Sequence, residues 1–286
     1  MDSLARSLMT LRCHDCDQIP KVADAGRIVL EEDQLVQVMH NGLRVVAGGY
    51  HGDWMAHIIR GLRGHHEPQE ELVFHALLKF ARHNSLIVEL GSFWAYYTLW
   101  YLHEVPGSRA ICVEPDPSHM AIGRKNACLN HLQDRIEFIE GWVGGTSDLP
   151  VTLRCESTGE LRTLPCFDMN RVAATAPDKI IELLHIDAQG VELDFIESMA
   201  ERVRLGGIRF LVVSTHHASI SSSSTTHRDC LHAIAELGGV ILVEHSVQAS
   251  FSGDGLIAAS FLPHDRDIEL PRISRNEPAR SLFPVP

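Results

Sequence analysis

The chain has 286 residues and carries 25 lysines and arginines against 37 aspartates and glutamates, so its formal net charge at pH 7 is −12 with histidine neutral. This acidic balance, without any block of basic residues, argues against a nucleic-acid binder. Hydrophobic residues make up 45% of the chain, enough for a globular core that needs neither disulfides nor metal ions. No apolar run approaches the roughly 20 residues that span a bilayer, which predicts that the protein does not enter a membrane.

The cysteines and the first residues bear on the cellular compartment. Residues 1–6 lack the apolar core of a signal peptide, and the seven cysteines are an odd, scattered set. Both observations favour a reducing compartment, so we expect a cytoplasmic protein. Cys13 and Cys16 form a lone CxxC pair, which is a weak zinc or redox signal without a second pair. Two reduced thiols in a surface arm are the favoured interpretation.

Residues 1–84 are predicted to form an N-terminal arm with a hairpin and helices. Asn41 and Gly42 predict the hairpin turn, because both tolerate the positive φ that such a turn demands. Apolar residues near helical spacing predict helical structure over 54–82. Pro68 suits a first helical turn, and the acids that follow it suit the positive end of the helix dipole. The arm could contact the substrate or a second copy of the chain, so a homo-oligomer is one alternative.

Apolar strands alternate with helices from residue 85 onwards. The predicted strands are 86–90, 109–114, 136–140, 181–187, 208–214, 240–244 and 256–261, and the predicted helices between them are 96–103, 118–131, 191–201 and 226–237. This alternation predicts an α/β fold with a mostly parallel sheet covered on both faces. The last two strands are joined too tightly for a helical crossover, so the last strand should run antiparallel.

The predicted sheet domain covers residues 85–262 and contains an insertion at 144–180. Within the insertion, residues 151–154 and 161–164 could pair with each other as a short hairpin. Residues 263–286 hold five of the thirteen prolines and are predicted to form an irregular tail.

Acids, glycines and histidines follow the carboxyl ends of the predicted strands. They lie in the segments Glu89-Leu90-Gly91-Ser92, Glu114-Pro115-Asp116, Glu140-Gly141-Trp142, Asp187-Ala188-Gln189-Gly190, Ser214-Thr215-His216-His217 and Glu244-His245. Open parallel sheets bind ligands at this edge. Chance would scatter such residues over both edges, so the pattern predicts a binding site there.

The loop after the first strand of the sheet indicates the kind of cofactor. Gly91 lets a ligand approach the backbone, and Glu114 at the end of the next strand could accept both ribose hydroxyls of a nucleoside cofactor. A diphosphate cofactor usually requires a loop with several glycines, whereas this loop has one glycine and the acid Glu89. An acid would repel a diphosphate and could meet a cationic amino group, which favours S-adenosylmethionine over NAD.

Three sequence blocks in this order resemble the FkbM-type methyltransferases, which are class I enzymes dependent on S-adenosylmethionine. The blocks are Val88-Glu89-Leu90-Gly91-Ser92, Val113-Glu114-Pro115-Asp116-Pro117 with Asn126 and Asn130 after it, and His185-Ile186-Asp187-Ala188-Gln189-Gly190-Val191-Glu192. The resemblance covers roughly residues 85–262 and implies a Rossmann-like methyltransferase sheet. Ala95 departs from the family, which usually has a second glycine there, and Phe93 and Trp94 replace smaller residues.

The resemblance implies roles for individual residues. The implied cofactor-binding residues are Glu89, Gly91, Ser92, Glu114, Asp116, Trp142 and Asp187. Glu114 would bind the ribose hydroxyls, Trp142 would contact adenine, and Asp187 would lie nearest the transferred methyl group.

Transfer of a methyl group to a hydroxyl requires a base that removes the proton. Asp187, His216 and His217 are the candidate catalytic residues. Alternatively, Asp187, His217 and His245 offer a plausible ligand set for a divalent metal that would acidify the hydroxyl. The histidines could also be ordinary loop or strand-end residues, whereas an unpaired acid at the end of a buried strand is costly without a partner.

The sequence therefore predicts a methyltransferase dependent on S-adenosylmethionine that methylates a hydroxyl of a small molecule, such as a sugar or a secondary metabolite. Tyr50, Trp54, His65 and His66 could form a lid over this acceptor, or could equally pack in the core of the arm. Two alternatives remain: an NAD-dependent oxidoreductase on a similar fold, and a binding protein that keeps the fold without turnover.

Overall fold

The computed structural model describes residues 2–177 and 179–283. The N-terminal arm contains α1 (Ser3–Thr10), β1 (Ile28–Glu31), β2 (Gln34–Val38), β3 (Arg44–Val46), α2 (Asp53–Gly61) and α3 (Pro68–Leu78). The predicted hairpin is confirmed, because β2 and β3 pair antiparallel around Asn41 and Gly42. An additional strand, β1, pairs with β2 through a turn at Glu32 and Asp33, whose φ values are 44° and 66°. Aspartate adopts positive φ more readily than most residues other than glycine, but glutamate does not, and this turn was not predicted.

The predicted helical segment 54–82 consists of the two helices α2 and α3. Gly64 adopts a φ of +92° after α2, and Pro68 begins α3. A left-handed residue ends a helix, and proline is favoured in a first helical turn. The side chains of the intervening residues 65–67 are consequently buried in the interior.

The remainder of the chain contributes the central sheet and an insertion. Its strands are β4 (Leu86–Leu90), β5 (Arg109–Glu114), β6 (Ile136–Glu140), β7 (Trp142–Val143), β8 (Val151–Arg154), β9 (Leu161–Leu164), β10 (Cys166–Phe167), β11 (Ile181–Ile186), β12 (Ile208–Thr215), β13 (Val240–His245) and β14 (Gly255–Ser260). The central sheet has seven strands in the order β13-β14-β12-β11-β4-β5-β6. Only β14 runs antiparallel to its neighbours. The predicted α/β fold with a mostly parallel sheet is thereby confirmed.

Helices cover both faces of this sheet. They are α4 (Tyr96–Glu104), α5 (Pro117–Leu129), α6 (Met169–Thr175), α7 (Glu192–Ser198), α8 (Ala200–Arg204), α9 (Ala218–Ser221) and α10 (Thr226–Glu236). Alternate strand residues point to opposite faces: Ile87 packs in a core shared with the arm, α4 and α5, whereas Val88 packs in a core with α6, α7 and α10. The predicted helix 191–201 is broken into α7 and α8 at Met199.

The insertion folds back onto the edge where the parallel strands end. Strands β8 and β9 pair antiparallel, as predicted, and β10 then pairs parallel with β7. The tail after β14, as far as residue 283, is irregular apart from two short 3-10 helices, Pro263–Asp265 and Pro278–Arg280. It contacts the arm, where Gln69 Nε2 donates to the carbonyl oxygen of Ser274 at 2.7 Å. The last three residues of the predicted tail lie outside the described residues. All seven cysteines are free. In the described part of the chain, no helix has the length and apolar character needed to cross a bilayer.

Candidate functional site

A cavity of about 370 Å³ lies at the carboxyl ends of β4, β5 and β11, beneath the arm and the insertion. The residues that line it come from the sheet edge, the arm and the insertion, and they include Tyr50, His51, His66, Glu67, Glu89, Gly91, Ser92, Phe93, Trp94, Tyr97, Glu114, Asp116, His119, Trp142, Cys155, His185, Asp187 and Gln189. All seven residues predicted to bind the cofactor are among them. The sheet edge at which the strand ends predict a binding site therefore carries a cavity.

Gly91 brings the loops after β4 and β11 into backbone contact. Its φ is +75°, and a Cβ atom at this position would overlap the carbonyl oxygen of Asp187. Glycine is required here both for its conformation and for the close approach. The next side chain, Ser92, is 1% exposed, and its Oγ has no hydrogen-bond partner among the described residues. An orphaned buried hydroxyl in a cavity wall fits a site that receives a polar ligand.

Glu89 occupies the amino end of α4. Its Oε2 accepts a hydrogen bond of 3.0 Å from the backbone N–H of Thr98, the third residue of that helix. Burial raises the pKa of Glu89 to about 7, against the lowering effects of His185 and of the bond from Thr98. The position where a helix would normally attract a phosphate therefore holds the protein's own carboxyl group.

Two backbone N–H groups fix the carboxylate of Glu114. Phe93 N donates to its Oε2 at 2.9 Å, and Asp116 N donates to its Oε1 at 2.8 Å. The side chain is 4% exposed and lines the cavity. A carboxylate has about four acceptor sites, so Glu114 can accept further hydrogen bonds from a ligand without moving. This arrangement fits the two adjacent hydroxyls of a ribose.

Asp116 and Trp142 line the cavity, but their polar atoms bind other parts of the protein. Asp116 Oδ1 caps α5 at Ser118 N with a distance of 2.9 Å. The same carboxylate accepts from Ser157 N at 2.8 Å and from Ser157 Oγ at 2.6 Å. Trp142 Nε1 donates to the carbonyl oxygen of Arg162 at 3.2 Å. Both residues therefore hold the β8–β9 hairpin over the cavity.

His216 joins Asp187 to two further acids. Its Nε2 lies 3.2 Å from Asp187 Oδ1 and 3.8 Å from Asp254 Oδ1, and its Nδ1 contacts Glu192 Oε1. Burial opposes the charged form, but hydrogen bonds to Asp187 and Glu192 raise the pKa of His216 well above its ordinary value. Burial likewise opposes ionisation of Asp187, yet the bond from His216 lowers the pKa of Asp187. The pair is therefore an imidazolium beside a carboxylate.

The structure does not bring His217 and His245 to Asp187. His217 caps α9, where its Nδ1 accepts from Ser219 N at 3.2 Å. His245 Nδ1 lies 3.1 Å from the carbonyl oxygen of Ser246, and burial lowers the pKa of His245 to about 4. These contacts match the alternative interpretation of both histidines as loop and strand-end residues.

Among the described residues, only Cys16, His65 and Glu71 place three potential metal-binding atoms within 4.8 Å of one another. The carboxylate of Glu71 is already engaged, because it accepts from His66 N at 2.7 Å and Glu67 N at 3.1 Å and contacts His65 Nδ1. This cluster closes the amino end of α3. The predicted metal set of Asp187, His217 and His245 is not assembled in the described chain.

His185 lines the cavity and binds Glu70 behind it, and neither residue was predicted from the sequence to belong to the site. His185 Nε2 lies 2.7 Å from Glu70 Oε1, while Ser214 Oγ donates to Glu70 Oε2 at 2.7 Å. Burial disfavours the charged imidazole, but the bond to Glu70 raises the pKa of His185 to about 9. A histidine inside an apolar strand, two residues before Asp187 on the same face, was the sequence signal for it.

Glu67 is the acid that the arm contributes to the cavity. Its Oε1 lies 3.4 Å from the guanidinium of Arg6, and its Oε2 accepts from Tyr97 Oη at 3.3 Å. Arg6 also lies 3.3 Å from Asp254 Oδ2. Charges of alternating sign thus connect the arm with the acid that contacts His216. The sequence placed the acids that follow Pro68 at the positive end of the helix dipole and predicted no role for Glu67.

Aromatic residues form the wall beside Glu67. Tyr50 stacks on Trp94 with ring centroids 4.5 Å apart, and His66 meets Trp94 edge-on at 5.0 Å. Of the residues predicted to form a lid, Tyr50 and His66 line the cavity. Trp54 instead packs under the Arg6 guanidinium at 5.7 Å, and the fully buried His65 stacks on His40 at 4.2 Å.

A scan against protein-family models and a search of curated proteins found no match to this chain. Solved structures with a similar fold include three methyl-transfer or cofactor-bound proteins. The cofactor-bound Rv0187 protein of MTB is 18% identical, with 68% of this chain and 78% of that chain covered and a TM-score of 0.45. An O-methyltransferase from Bacillus cereus in complex with SAH is 17% identical, with 67% and 79% covered and a TM-score of 0.41. A precorrin-6y C5,15-methyltransferase from Geobacter metallireducens GS-15 is 10% identical, with 67% and 86% covered and a TM-score of 0.44.

These similarities are too distant to carry an activity to this chain. The strand order of the central sheet establishes the fold without them. The resemblance to the FkbM-type family stays a prediction, and the case for a function rests on the geometry of the cavity.

Proposed function

We propose that the protein is a methyltransferase that uses S-adenosylmethionine. The carboxyl group of Glu89 at the amino end of α4 carries this proposal. A dinucleotide would need that helix end for its diphosphate, and the carboxyl group occupies it and, when ionised, repels an anion. The ammonium group of an amino-acid cofactor would instead be attracted. The same observation disfavours the NAD-dependent oxidoreductase that the sequence left as an alternative.

The wall residues of the cavity fit the other parts of such a cofactor. Glu114 would accept hydrogen bonds from the ribose hydroxyls, and Ser92 Oγ would gain the partner that it lacks among the described residues. Asp187 would lie nearest the transferred methyl group, where His216 keeps it ionised. When bound, the cofactor supplies an electrophilic methyl group on a sulfonium. Trp142 and the hairpin tied to Asp116 would enclose the nucleoside end.

The acceptor that we propose is a hydroxyl of a small molecule, such as a sugar or a secondary metabolite. Its support is the arm-side wall, where aromatic rings stand beside hydrogen-bonding groups such as Glu67, His66 and Tyr97. Aromatic faces pack against the apolar faces of ring compounds, and carboxylates and imidazoles bind their hydroxyls. The acids Glu67 and Asp187 would repel an acceptor that carries negative charge near its reacting group.

Calorimetric titration with S-adenosylhomocysteine, with NADH as the comparison ligand, tests the cofactor. We expect micromolar binding of S-adenosylhomocysteine that EDTA and magnesium leave unchanged, and no heat with NADH. Glu114→Gln should weaken binding at least about tenfold, because a charge-assisted hydrogen bond contributes about 1.5–3 kcal/mol. Glu137→Gln is the matched control, because Glu137 is an exposed acid on the neighbouring strand β6.

The outcomes separate the competing functions. Heat with NADH alone would overturn the methyltransferase proposal. A binding heat that depends on magnesium would indicate that a metal ion takes part in the reaction. Binding of S-adenosylhomocysteine without methyl transfer to any hydroxyl acceptor would favour a binding protein without turnover.

A further inference from the structure

Resting on the proposed methyl transfer, we infer that Glu67 is the catalytic base, whose carboxylate takes the proton from the hydroxyl group of the acceptor. Glu67 lines the cavity from the arm side, across from the sheet residues that fit the cofactor. The arm-side wall is the part of the cavity left for the acceptor. A base has to stand within hydrogen-bond reach of the proton that it removes, and Glu67 is the carboxyl group on this wall.

Four other ionisable groups in or next to the cavity are less suited to this role. Both nitrogens of His216 already contact acids, so it is protonated and has no free lone pair. His185 is protonated as well, because Glu70 raises its pKa to about 9. Burial lowers the pKa of His51 to about 4, which makes it a weak base. Asp187 is weakly basic too, since the bond from His216 lowers its pKa.

The side chain of Glu67 is held in position, and its carboxylate stays basic. The charged and titratable groups that face it come from the arm, from α4 and from the end of β11, and they are Arg6, Tyr50, His66, Glu70, Tyr97 and Asp187. Burial raises the pKa of Glu67 to about 7, against the lowering effects of His66 and Arg6. A general base works best when its pKa lies near the working pH. Its carboxylate is therefore available at neutral pH and is still basic.

The proton transfer completes the reaction without another reagent. The acceptor oxygen bonds to the methyl carbon while the carbon–sulfur bond breaks and its electron pair stays on sulfur. A carboxylate oxygen of Glu67 takes the hydroxyl proton. Tyr97 Oη and Arg6 contact the two oxygens of Glu67 and keep the side chain oriented towards the cavity.

The experiment compares S-adenosylmethionine with S-adenosylhomocysteine in calorimetric titrations between pH 6 and pH 8.5. Only the first ligand has a positive sulfur, so the ratio of the two dissociation constants reports a charge near the transferred methyl group. As Glu67 ionises through about pH 7, the relative affinity for S-adenosylmethionine should rise about tenfold, which corresponds to one pKa unit of coupling. Glu67→Gln should abolish this rise.

Glu89→Gln is the matched control, because burial raises its pKa to about 7 as well. Glu89 is expected to face the amino group that both ligands share, so its loss should weaken both ligands and leave the rise in the ratio intact. Tyr97→Phe is the second variant. It removes a hydrogen bond to the charged form of Glu67, so the midpoint of the rise should move to higher pH.

The results distinguish the inference from the function on which it rests. A ratio that stays flat in the wild-type protein, or that still rises in Glu67→Gln, overturns the role of Glu67 while leaving the cofactor assignment intact. Failure of both ligands to bind at any pH overturns the proposed function itself. Once an acceptor has been identified, Glu67→Gln should lower kcat at least about a hundredfold, with a smaller change in KM.

Discussion

The two sides of the cavity are built in different ways. The sheet side consists of short segments that follow β4, β5 and β11, and its important atoms are backbone groups and the carboxylates that bind them, as with Glu114 and Phe93 N. The arm side is assembled from segments far apart in the chain, since Arg6 contacts both Glu67 and Asp254. One wall of the cavity is thus formed by local motifs, whereas the other depends on charge pairing between distant segments.

The largest effect is expected at the backbone contact of the sheet side. Gly91→Ala should lower the melting temperature by about 10 °C or more and abolish binding of S-adenosylhomocysteine, because the added Cβ overlaps the Asp187 carbonyl at a φ of +75°. Gly159→Ala is the control: its φ is +69° with nothing within 4 Å, so it should cost only about 1 kcal/mol. Equal losses in the two variants would show that the close approach is unimportant.

On the arm side, Arg6→Met should lower the free energy of unfolding by about 3 kcal/mol, because it removes the guanidinium that two largely buried acids share. The Arg6 side chain is 13% exposed. Urea unfolding monitored by circular dichroism measures the loss. Arg12→Met replaces an exposed arginine near the end of the same helix and should have little effect. Similar results for both variants would contradict an arm held by charge pairing.

The ion pair between His185 and Glu70 lies where the two sides meet and should make stability depend on pH. The folded-state pKa of His185, about 9, is above its unfolded value. Its stabilising contribution is therefore complete below about pH 6.5 and is lost as the pH rises to 9. The melting temperature of the wild-type protein should fall by about 5 °C between pH 7 and pH 9. The double variant Glu70→Gln/His185→Gln should show a smaller fall, and an identical fall would exclude this pair as its source.

The smallest effect is expected at the hairpin that covers the sheet side. Ser157→Ala removes the 2.6 Å hydrogen bond to Asp116 but keeps the one from its backbone N–H. A loss of about 1 kcal/mol should speed dissociation of S-adenosylhomocysteine about fivefold in stopped-flow measurements. Thr152→Ala, on the exposed part of the same hairpin, should leave the rate unchanged. If both rates match that of the wild-type protein, the hairpin does not limit ligand release.

Much of the central sheet could be predicted because its signals are local. Each strand is a short apolar run. A short apolar run that ends at a glycine or an acid is typical of a strand in a parallel sheet. The short segment 246–254 between β13 and β14 excluded a crossover and so gave the antiparallel β14. The break at Met199 and the strand β1 were missed, because neither carries a strong turn or breaker residue.

The acids around Pro68 show why the arm side could not be predicted. Three glutamates lie within five residues, yet Glu67 faces the cavity, Glu70 contacts His185, and Glu71 closes the helix end. Their sequence context is nearly the same. The partners that distinguish them come from β11, α4 and α1, and no spacing in the sequence shows which partner each acid will meet.

The sequence by itself therefore determined the fold class, the sheet edge that carries the cavity and the residues that follow each strand, since hydrophobic periodicity and glycine placement are properties of neighbouring residues. Only the tertiary structure decided which of the candidate side chains act together. His216 joined Asp187 while His217 turned away to cap α9, although the two histidines are adjacent. Burial and charge pairing between distant segments make that choice, because the protonation and orientation of a buried group depend on all the groups that surround it.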